Sequence, residues 1–382
     1  MAKRSFFAFV CVVLSVHATA WGQGPGYALQ GPYGPPAGPW AGGPGVVQAA
    51  YQSEALQAGP APQMAPEGTA TYDACCSCDP RIPAWEFFGD FLYIRPRNAN
   101  VAYGVLFNPA TQPETPPGAA TPIQLAQPGT AGIDFHPGWR VGFAKAVDEC
   151  NAVVATFAHY EGENQDSIST DQYEIRSMVS QPSTWSSNEA SDWLQAATDY
   201  RMTYSVADVD FRWTFDNEND TRLSLLAGLR YAALDQRLDA TFTSTDVQVV
   251  HSQVNFEGGG LRIGFDGERR TPHGLVFYGR ATASLVAGTF RGNYTQASVL
   301  TGYLVDTGYP ADRVVPIIDA ELGTGLSLWN DKLRLTVGYS FSGWFNIVRT
   351  DEFIGAVQAN NFGGMHDTLT FDGFVGRAEL QF

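Results

Sequence analysis

The chain has 382 residues and a formal net charge of −16 at pH 7, and 44% of its residues are hydrophobic. The acidic balance argues against nucleic acid as a partner, because a phosphate backbone is bound by a basic surface. Beyond the first twenty residues, no apolar run approaches the roughly 20 residues that a membrane-spanning helix needs. The mature chain is therefore expected to be either soluble or a closed β-barrel.

The first twenty residues have the pattern of an export signal. Lys3 and Arg4 precede an apolar run over residues 6–16, and small residues follow at Ala18 and Ala20. The run is too short to span a bilayer. We predict a secretory signal peptide over residues 1–20 that is cleaved after Ala20.

Residues 21–80 are rich in proline and glycine, carry little charge and show no hydrophobic period. Such a segment buries too little apolar surface to offset the entropy lost on ordering. We predict that it is disordered.

From Trp85 onwards, apolar residues recur at every second position, the pattern of a strand with one apolar face. Val209, Phe211 and Trp213, for example, alternate with Asp210 and Arg212. The alternation predicts ten strands, at residues 85–95, 138–146, 152–160, 208–215, 222–231, 261–266, 275–290, 314–327, 333–345 and 369–382.

The connections between these strands alternate in length. Short turns are predicted at residues 148–151, 216–220, 266–273 and 329–332, and long links at residues 96–137, 161–199, 239–250, 291–313 and 346–366. Short periplasmic turns and long outer loops are typical of an up-and-down membrane barrel. Residues 85–382 are therefore predicted to form a closed antiparallel transmembrane β-barrel of about ten strands, with eight or twelve as alternatives and both termini in the periplasm.

The last predicted strand ends on an aromatic residue. Phe374, Leu380 and Phe382 share its apolar face, and we interpret them as the C-terminal signal for the barrel-assembly machinery of the bacterial outer membrane. Outer-membrane lipid and lipopolysaccharide are then the expected surroundings. Aromatic residues near strand ends are predicted to form interfacial girdles: Trp85, Tyr93, Trp139, Tyr160, Trp329, Tyr339 and Trp344.

At residues 138–146, 223–236 and 258–266, the chain resembles the pore-forming outer-membrane protein family typified by the Legionella major outer-membrane protein. The resemblance covers residues 85–382 and excludes the proline- and glycine-rich segment. It implies an outer-membrane barrel with a porin-like role, and it supplies neither a substrate nor a catalytic residue.

The polar faces of the strands carry charges that a barrel would turn towards its lumen, where they need water or partners. We expect arginine–carboxylate ladders between neighbouring strands. The predicted lumen-facing charges are Asp90, Arg140, Asp208, Asp210, Arg212, Arg222, Arg230, Arg262, Arg280, Asp319, Glu321, Arg334, Arg377 and Glu379. Because an interior of about ten strands is narrow, conduction of small ions is the leading hypothesis, and a structural or adhesive barrel that conducts nothing is the alternative.

Four cysteines lie beyond the signal, at Cys75, Cys76, Cys78 and Cys150. The envelope is oxidising, so a disulfide from Cys150 to one of the other three is one interpretation. The other is that they are free or paired among themselves. Without a nearby histidine, the cluster does not have a standard zinc spacing, so no metal site or cofactor is predicted.

A barrel hydrolase is the third hypothesis, because His136, His159, His251 and His366 fall near the predicted outer loops. No nucleophile motif accompanies them, so we predict no catalytic residue and no enzymatic activity. The link at residues 161–199 contains eight carboxylates and one arginine. It is expected to be either a solvated acidic loop or a site for divalent cations. Solute selectivity and oligomeric state stay open.

Overall fold

The computed structural model describes residues 83–108, 124–181, 193–217, 221–329 and 332–382. The predicted signal peptide and the segment at residues 21–80 lie outside this part. The strands are β1 Trp85–Arg97, β2 Val101–Phe107, β3 Gly129–Ala131, β4 His136–Ala146, β5 Asn151–Ser169, β6 Glu174–Ser177, β7 Gln195–Asn217, β8 Thr221–Thr243, β9 Val247–Arg270, β10 Leu275–Ser298, β11 Gly302–Leu328, β12 Leu333–Ile347 and β13 Asp367–Gln381. One helix, α1, covers Thr350–Ala359, and no described helix is long and apolar enough to cross a membrane.

Ten of the strands form one closed barrel. Each pairs with its neighbours in the order β1, β13, β12, β11, β10, β9, β8, β7, β5 and β4, and β4 pairs with β1 to close the ring. All these pairs are antiparallel, as between Asp90 of β1 and Arg377 of β13. The predicted ten-stranded antiparallel barrel is confirmed.

The outward faces of the barrel strands carry an apolar band about ten residues tall, the height that a tilted strand needs to cross a bilayer. Phe91, Leu229, Leu261 and Phe374 are each at least 60% exposed in it. Successive residues of a strand point to opposite faces, so the sequence alternation places the charged partners of these residues inside.

The prediction of strictly alternating short and long links is wrong. Residues 239–250 and 291–313 are not long loops, because β8 and β9 continue to a tight turn at residues 244–246, and β10 and β11 continue to one at residues 299–301. Beyond the lipid band the outward face becomes polar: in β8, Leu234, Leu238 and Phe242 are buried inside, and Asp235, Arg237 and Asp239 alternate with them on the outward face. The apolar outward face that was used to find the strands therefore ends at the band. The turn predicted at residues 266–273 likewise begins later, because β9 extends to Arg270.

The other long links contain secondary structure of their own. Strands β3, β2 and β6 form a separate three-stranded sheet from the links at residues 96–137 and 161–199, and α1 lies in the link at residues 346–366. The acidic stretch at residues 161–199 is not one loop, because Glu161 and Glu163 belong to β5 and Asp199 to β7.

Two members of the predicted aromatic girdle are misplaced. Tyr160 and Trp344 are 0% and 1% exposed and face the interior of the barrel. Both occupy inward positions of their strands, where Tyr160 stacks on Tyr204 and Trp344 contacts Phe371 edge-on. The outward positions hold Trp85, Tyr93, Trp139 and Tyr339, which are exposed, and Trp329 lies exposed in a turn.

Candidate functional site

The lumen is filled differently in its two halves. We call the half near Trp85 and Phe382 the terminal half, and the half near the long links the loop half. In the terminal half, inward side chains from the barrel strands form a network of ion pairs, here called the charge layer. Its members are Glu86, Asp90, Arg140, Asp208, Asp210, Arg212, Arg230, Arg262, Asp266, Glu268, Arg280, Asp319, Glu321, Arg334, Arg377 and Glu379.

Some ion pairs of the charge layer join neighbouring strands. The guanidinium of Arg377 donates two hydrogen bonds to Asp90, at 2.6 and 2.8 Å, and Arg140 contacts the same carboxylate from the other side. Asp90 is 4% exposed. The negative charge of a buried carboxylate between two arginines is compensated only while both arginines stay in place.

Other ion pairs cross the lumen. Arg140 of β4 reaches Glu321 of β11 at 2.6 Å, and Arg230 of β8 reaches Asp319 of β11 at 2.6 Å. Arg212 of β7 reaches Glu86 of β1 at 3.1 Å. These contacts tie opposite walls together and fill the section that they cross.

The structure places all the predicted lumen-facing charges on inward positions. Arg222, at the terminal end of β8, lies opposite Glu268 of the layer in the register with β9. Three members of the layer are absent from the predicted list of lumen-facing charges. Glu86 and Asp266 stand at the ends of predicted strands, and Glu268 was assigned to a turn. Extending the alternation of Ile263 and Phe265 by two positions would have found Glu268.

The loop half of the lumen is occupied by an apolar insertion, here called the plug. It consists of α1 and the sheet of β2, β3 and β6. Phe353 of α1 is 0% exposed and meets the wall residue Phe290, with the ring centroids 6.1 Å apart. Tyr103 of β2 is also fully buried. No side chain could be added at Gly292 of the wall, because its Cβ would fall within 2.4 Å of the Phe353 ring.

Three buried glutamines of the barrel wall hold the plug by hydrogen bonds. The Gln236 side chain donates to the Val348 carbonyl at 2.9 Å, and the Gln248 carbonyl oxygen accepts from the Ser180 hydroxyl at 3.0 Å. The Gln296 carbonyl oxygen accepts from the backbone N–H of Gln181 at 2.9 Å. These contacts are neutral, so releasing one leaves no unpaired charge.

The first turn of α1 contains two carboxylates with altered acidity. Burial raises the pKa of Asp351 above its ordinary value, against the opposing effect of Arg349, whose guanidinium lies 2.9 Å away. Burial also raises the pKa of Glu352. The docked plug therefore favours the protonated forms of both groups.

A cavity of about 160 Å³ lies in the lumen at the charge layer, and barrel strands supply all of its lining residues. Leu92, Ile94, Val206 and Trp344 line it on the side that is continuous with the apolar core. Six arginines and six carboxylates of the charge layer line the rest. The cavity thus has one apolar wall and one wall of balanced charge.

The sequence matches a family model over residues 79–376, whose description is Legionella pneumophila major outer membrane protein precursor. The match covers the barrel from its first strand into its last. The chain belongs to this outer-membrane protein family. Its barrel therefore lies in the bacterial outer membrane, as predicted. No curated protein matches the sequence.

Solved structures of outer-membrane barrels are similar to this family member in fold only. The outer membrane protease OmpT from Escherichia coli is 9% identical, with a TM-score of 0.42 over 78% of this chain and 96% of that one. CarO from Acinetobacter baumannii is 10% identical, with a TM-score of 0.26 over 80% and 100% of the two chains. The Pseudomonas putida toluene transporter TodX is 10% identical, with a TM-score of 0.24 over 78% and 90%.

The C-terminal residues of this family member lie at the seam of the barrel. Trp85 and Phe382 exchange two backbone hydrogen bonds, at 3.3 and 2.9 Å. The ring of Phe382 contacts Phe87 edge-on at 6.4 Å, and Phe374 and Leu380 are exposed on the same outward face. The predicted assembly signal is thus displayed beside the first strand.

Cys150 lies in the turn between β4 and β5 and is disulfide-bonded. Cys75, Cys76 and Cys78 lie outside the described residues, so the identity of its partner stays a prediction.

The histidines named for the hydrolase hypothesis are dispersed. Nδ1 of His159 lies 3.0 Å from the Ser205 hydroxyl on the outer face of the wall, and His251 pairs with Asp239 at 2.6 Å on the same face. His136 and His366 contact backbone carbonyls of neighbouring residues. Because a serine–histidine contact needs an orienting acid and oxyanion donors to become nucleophilic, these positions do not make up a catalytic site.

Proposed function

We propose that this protein is a narrow, gated passage for small ions and solutes across the outer membrane, closed in the state described above. The observation that carries the proposal is the plug: three outer connections fold into the loop half of the lumen, whose other half contains a cavity lined with charge. A connection that folds into the lumen can control the entry of solutes.

The plug also has the contacts that a gate needs. Its hydrogen bonds to the wall run mostly through neutral amides, although the Tyr103 hydroxyl donates to the Asp166 carboxylate at 3.0 Å. The ion pair of Arg349 with Asp367, at 2.8 Å, joins the residue before α1 to the first residue of β13 and so lies at the end of the connection. Release of the plug would therefore separate few charged contacts. The charge layer below it narrows the lumen to small solutes. A barrel of ten strands without the plug would still be constricted by this layer.

The experiment is conductance of the purified full chain in planar bilayers, for the wild type and for Gln236→Leu. This substitution removes the amide that bonds Val348 and leaves an apolar side chain of similar size. We expect rare small openings in the wild type and a several-fold higher open probability in Gln236→Leu.

Gln253→Leu is the matched control, because Gln253 lies on the neighbouring strand, faces outwards and donates to Asp235 at 2.9 Å. It should behave as the wild type. No conductance in either the wild type or Gln236→Leu, with heat-modifiable folding intact in both, would rule out the gated passage.

The second candidate is a structural or adhesive barrel that conducts nothing. It is favoured by the filled lumen and by strands β7–β11, which continue beyond the lipid band for about 12 residues, or roughly 30 Å along the barrel axis. The same recordings decide between the two candidates.

A further inference from the structure

The cavity at the charge layer has features that select a class of ligand. Its volume of about 160 Å³ is close to that of apolar protein cavities, of about 150 Å³, that take one benzene ring. A solute of roughly six to ten heavy atoms therefore fits.

The charges around the cavity are balanced in number. Six arginines face six carboxylates, so the wall exerts no net attraction for an anion or a cation. A solute with a single net charge would enter without a counter-charge and lose its hydration, which is costly. A solute without net charge avoids this penalty.

Three charged-group atoms of cavity-lining residues have unused hydrogen-bonding capacity. Among the described residues, Oε1 of Glu321, Oδ1 of Asp210 and Nε of Arg262 are buried and have no hydrogen-bond partner. The ion-pair contacts of two of them are long, 3.9 Å from Oε1 to Arg280 and 3.6 Å from Nε to Asp208. A carboxylate oxygen can accept a bond from an ammonium group, and the guanidinium N–H can donate a bond to a carboxylate.

The opposite wall is apolar and aromatic. Leu92, Ile94, Val206 and Trp344 line the cavity and are each at most 9% exposed. A solute that carries both charges at one end and a hydrocarbon group at the other would satisfy both walls.

We propose that this cavity binds a small zwitterion with an apolar side chain, of the kind represented by neutral aliphatic α-amino acids. The proposal rests on the proposed function for the route of entry, because the cavity is reached through the lumen. It makes the cavity the selective site of the passage.

The test is equilibrium binding of L-leucine to the full chain folded in detergent, which requires no flux. We expect saturable binding at one site. Removing either charge of the probe should weaken binding about tenfold or more. The two probes for this comparison are 4-methylpentanoate, which lacks the ammonium group, and 3-methylbutylamine, which lacks the carboxylate.

Two variants assign the binding to the cavity. Ala158→Trp fills it from β5, and Glu321→Gln removes the charge of the open acceptor while keeping its shape. Each should lower leucine affinity about tenfold. Ala287→Trp is the matched control, because Ala287 is exposed on the outward face of β10, and it should bind as the wild type.

Absence of saturable leucine binding to the wild type overturns the proposal, as does 4-methylpentanoate binding as tightly as leucine. Unchanged affinity in Glu321→Gln contradicts it even if Ala158→Trp fails to fold. A barrel that binds leucine but never conducts would refute the gated passage and leave the site standing. A barrel that conducts without binding leucine would refute the binding site and leave the gated passage standing.

Discussion

The two halves of the lumen are filled by different parts of the chain, and the difference separates what holds the barrel together from what can move. The charge layer is made of side chains on the barrel strands themselves. The plug is made of the connections between strands. Removing the charge layer means breaking the wall, whereas removing the plug means only undocking three connections. The stability of the barrel therefore depends on the terminal half, and the proposed gating depends on the loop half.

The largest expected effect follows from Asp90→Leu in the charge layer. The substitution leaves Arg140 and Arg377 without their shared carboxylate, and breaking a buried ion pair in this way costs about 3–5 kcal/mol. Unfolding in urea, followed by heat-modifiable gel migration, measures it. Asp235→Leu on the outer wall, where the carboxylate accepts only from Gln253 and neighbouring amides, should cost less than about 1 kcal/mol. Equal losses in the two variants would contradict the structural role of the charge layer.

A second effect should appear in the plug and not in the barrel. Phe353→Ala removes a fully buried ring, worth about 3–5 kcal/mol in a packed core. Because α1 is a connection, we expect this loss to appear as faster hydrogen exchange at residues 350–359, with exchange in β7–β10 unchanged. Loss of protection in both regions would mean that the plug and the wall unfold as one unit.

The fold could be predicted over the part of each strand that faces lipid, because lipid requires an apolar residue at every second position. Ten strands, their closure and the inward charges followed from alternations such as that of Val209, Phe211 and Trp213. Where lipid no longer covers the wall the constraint ends, so the upper parts of β8–β11 were taken for loops. Tyr160 and Trp344 were assigned to the girdle because composition does not tell an inward aromatic residue from an outward one.

The candidate site was less predictable than the fold. Each lumen-facing charge could be assigned to the interior, but pairs such as Arg140 with Glu321 join strands far apart in the ring, and no local pattern encodes them. The plug was missed for a related reason. Its helix is ten residues long, and its apolar face has a surface to bury against only because the barrel has closed around it.

A smaller effect, that of pH on the docking of α1, should distinguish the loop half of the lumen from the terminal half. Asp351 and Glu352 have raised pKa values in the docked plug, so the docked state binds protons more tightly than the released one. The free energy of docking should become more favourable as the pH falls from neutral through the raised pKa values. It should not change further once the pH is below the ordinary pKa values of the two groups. Hydrogen exchange of α1, corrected for the intrinsic pH dependence, should slow several-fold between pH 7 and pH 5.

Asp351→Asn provides the control for this effect, since the variant carries no charge at this position at either pH. It should show a reduced pH response with Glu352 still contributing. If α1 of the wild type exchanged more slowly at pH 7 than at pH 5, the pH effect would have the opposite sign. These two carboxylates would then not be its cause.

The central claim is that the docked plug limits access to the cavity from the loop end. Thiol accessibility in intact cells tests it most directly. Thr156→Cys places a thiol on the cavity wall. Cys150 is disulfide-bonded, and the wild-type chain gives the background labelling from Cys75, Cys76 and Cys78. A small membrane-impermeant reagent should label the introduced thiol slowly with the plug in place and at least about tenfold faster when Phe353→Ala is added. Rapid labelling with the plug intact, or equal rates in the two variants, would contradict the account.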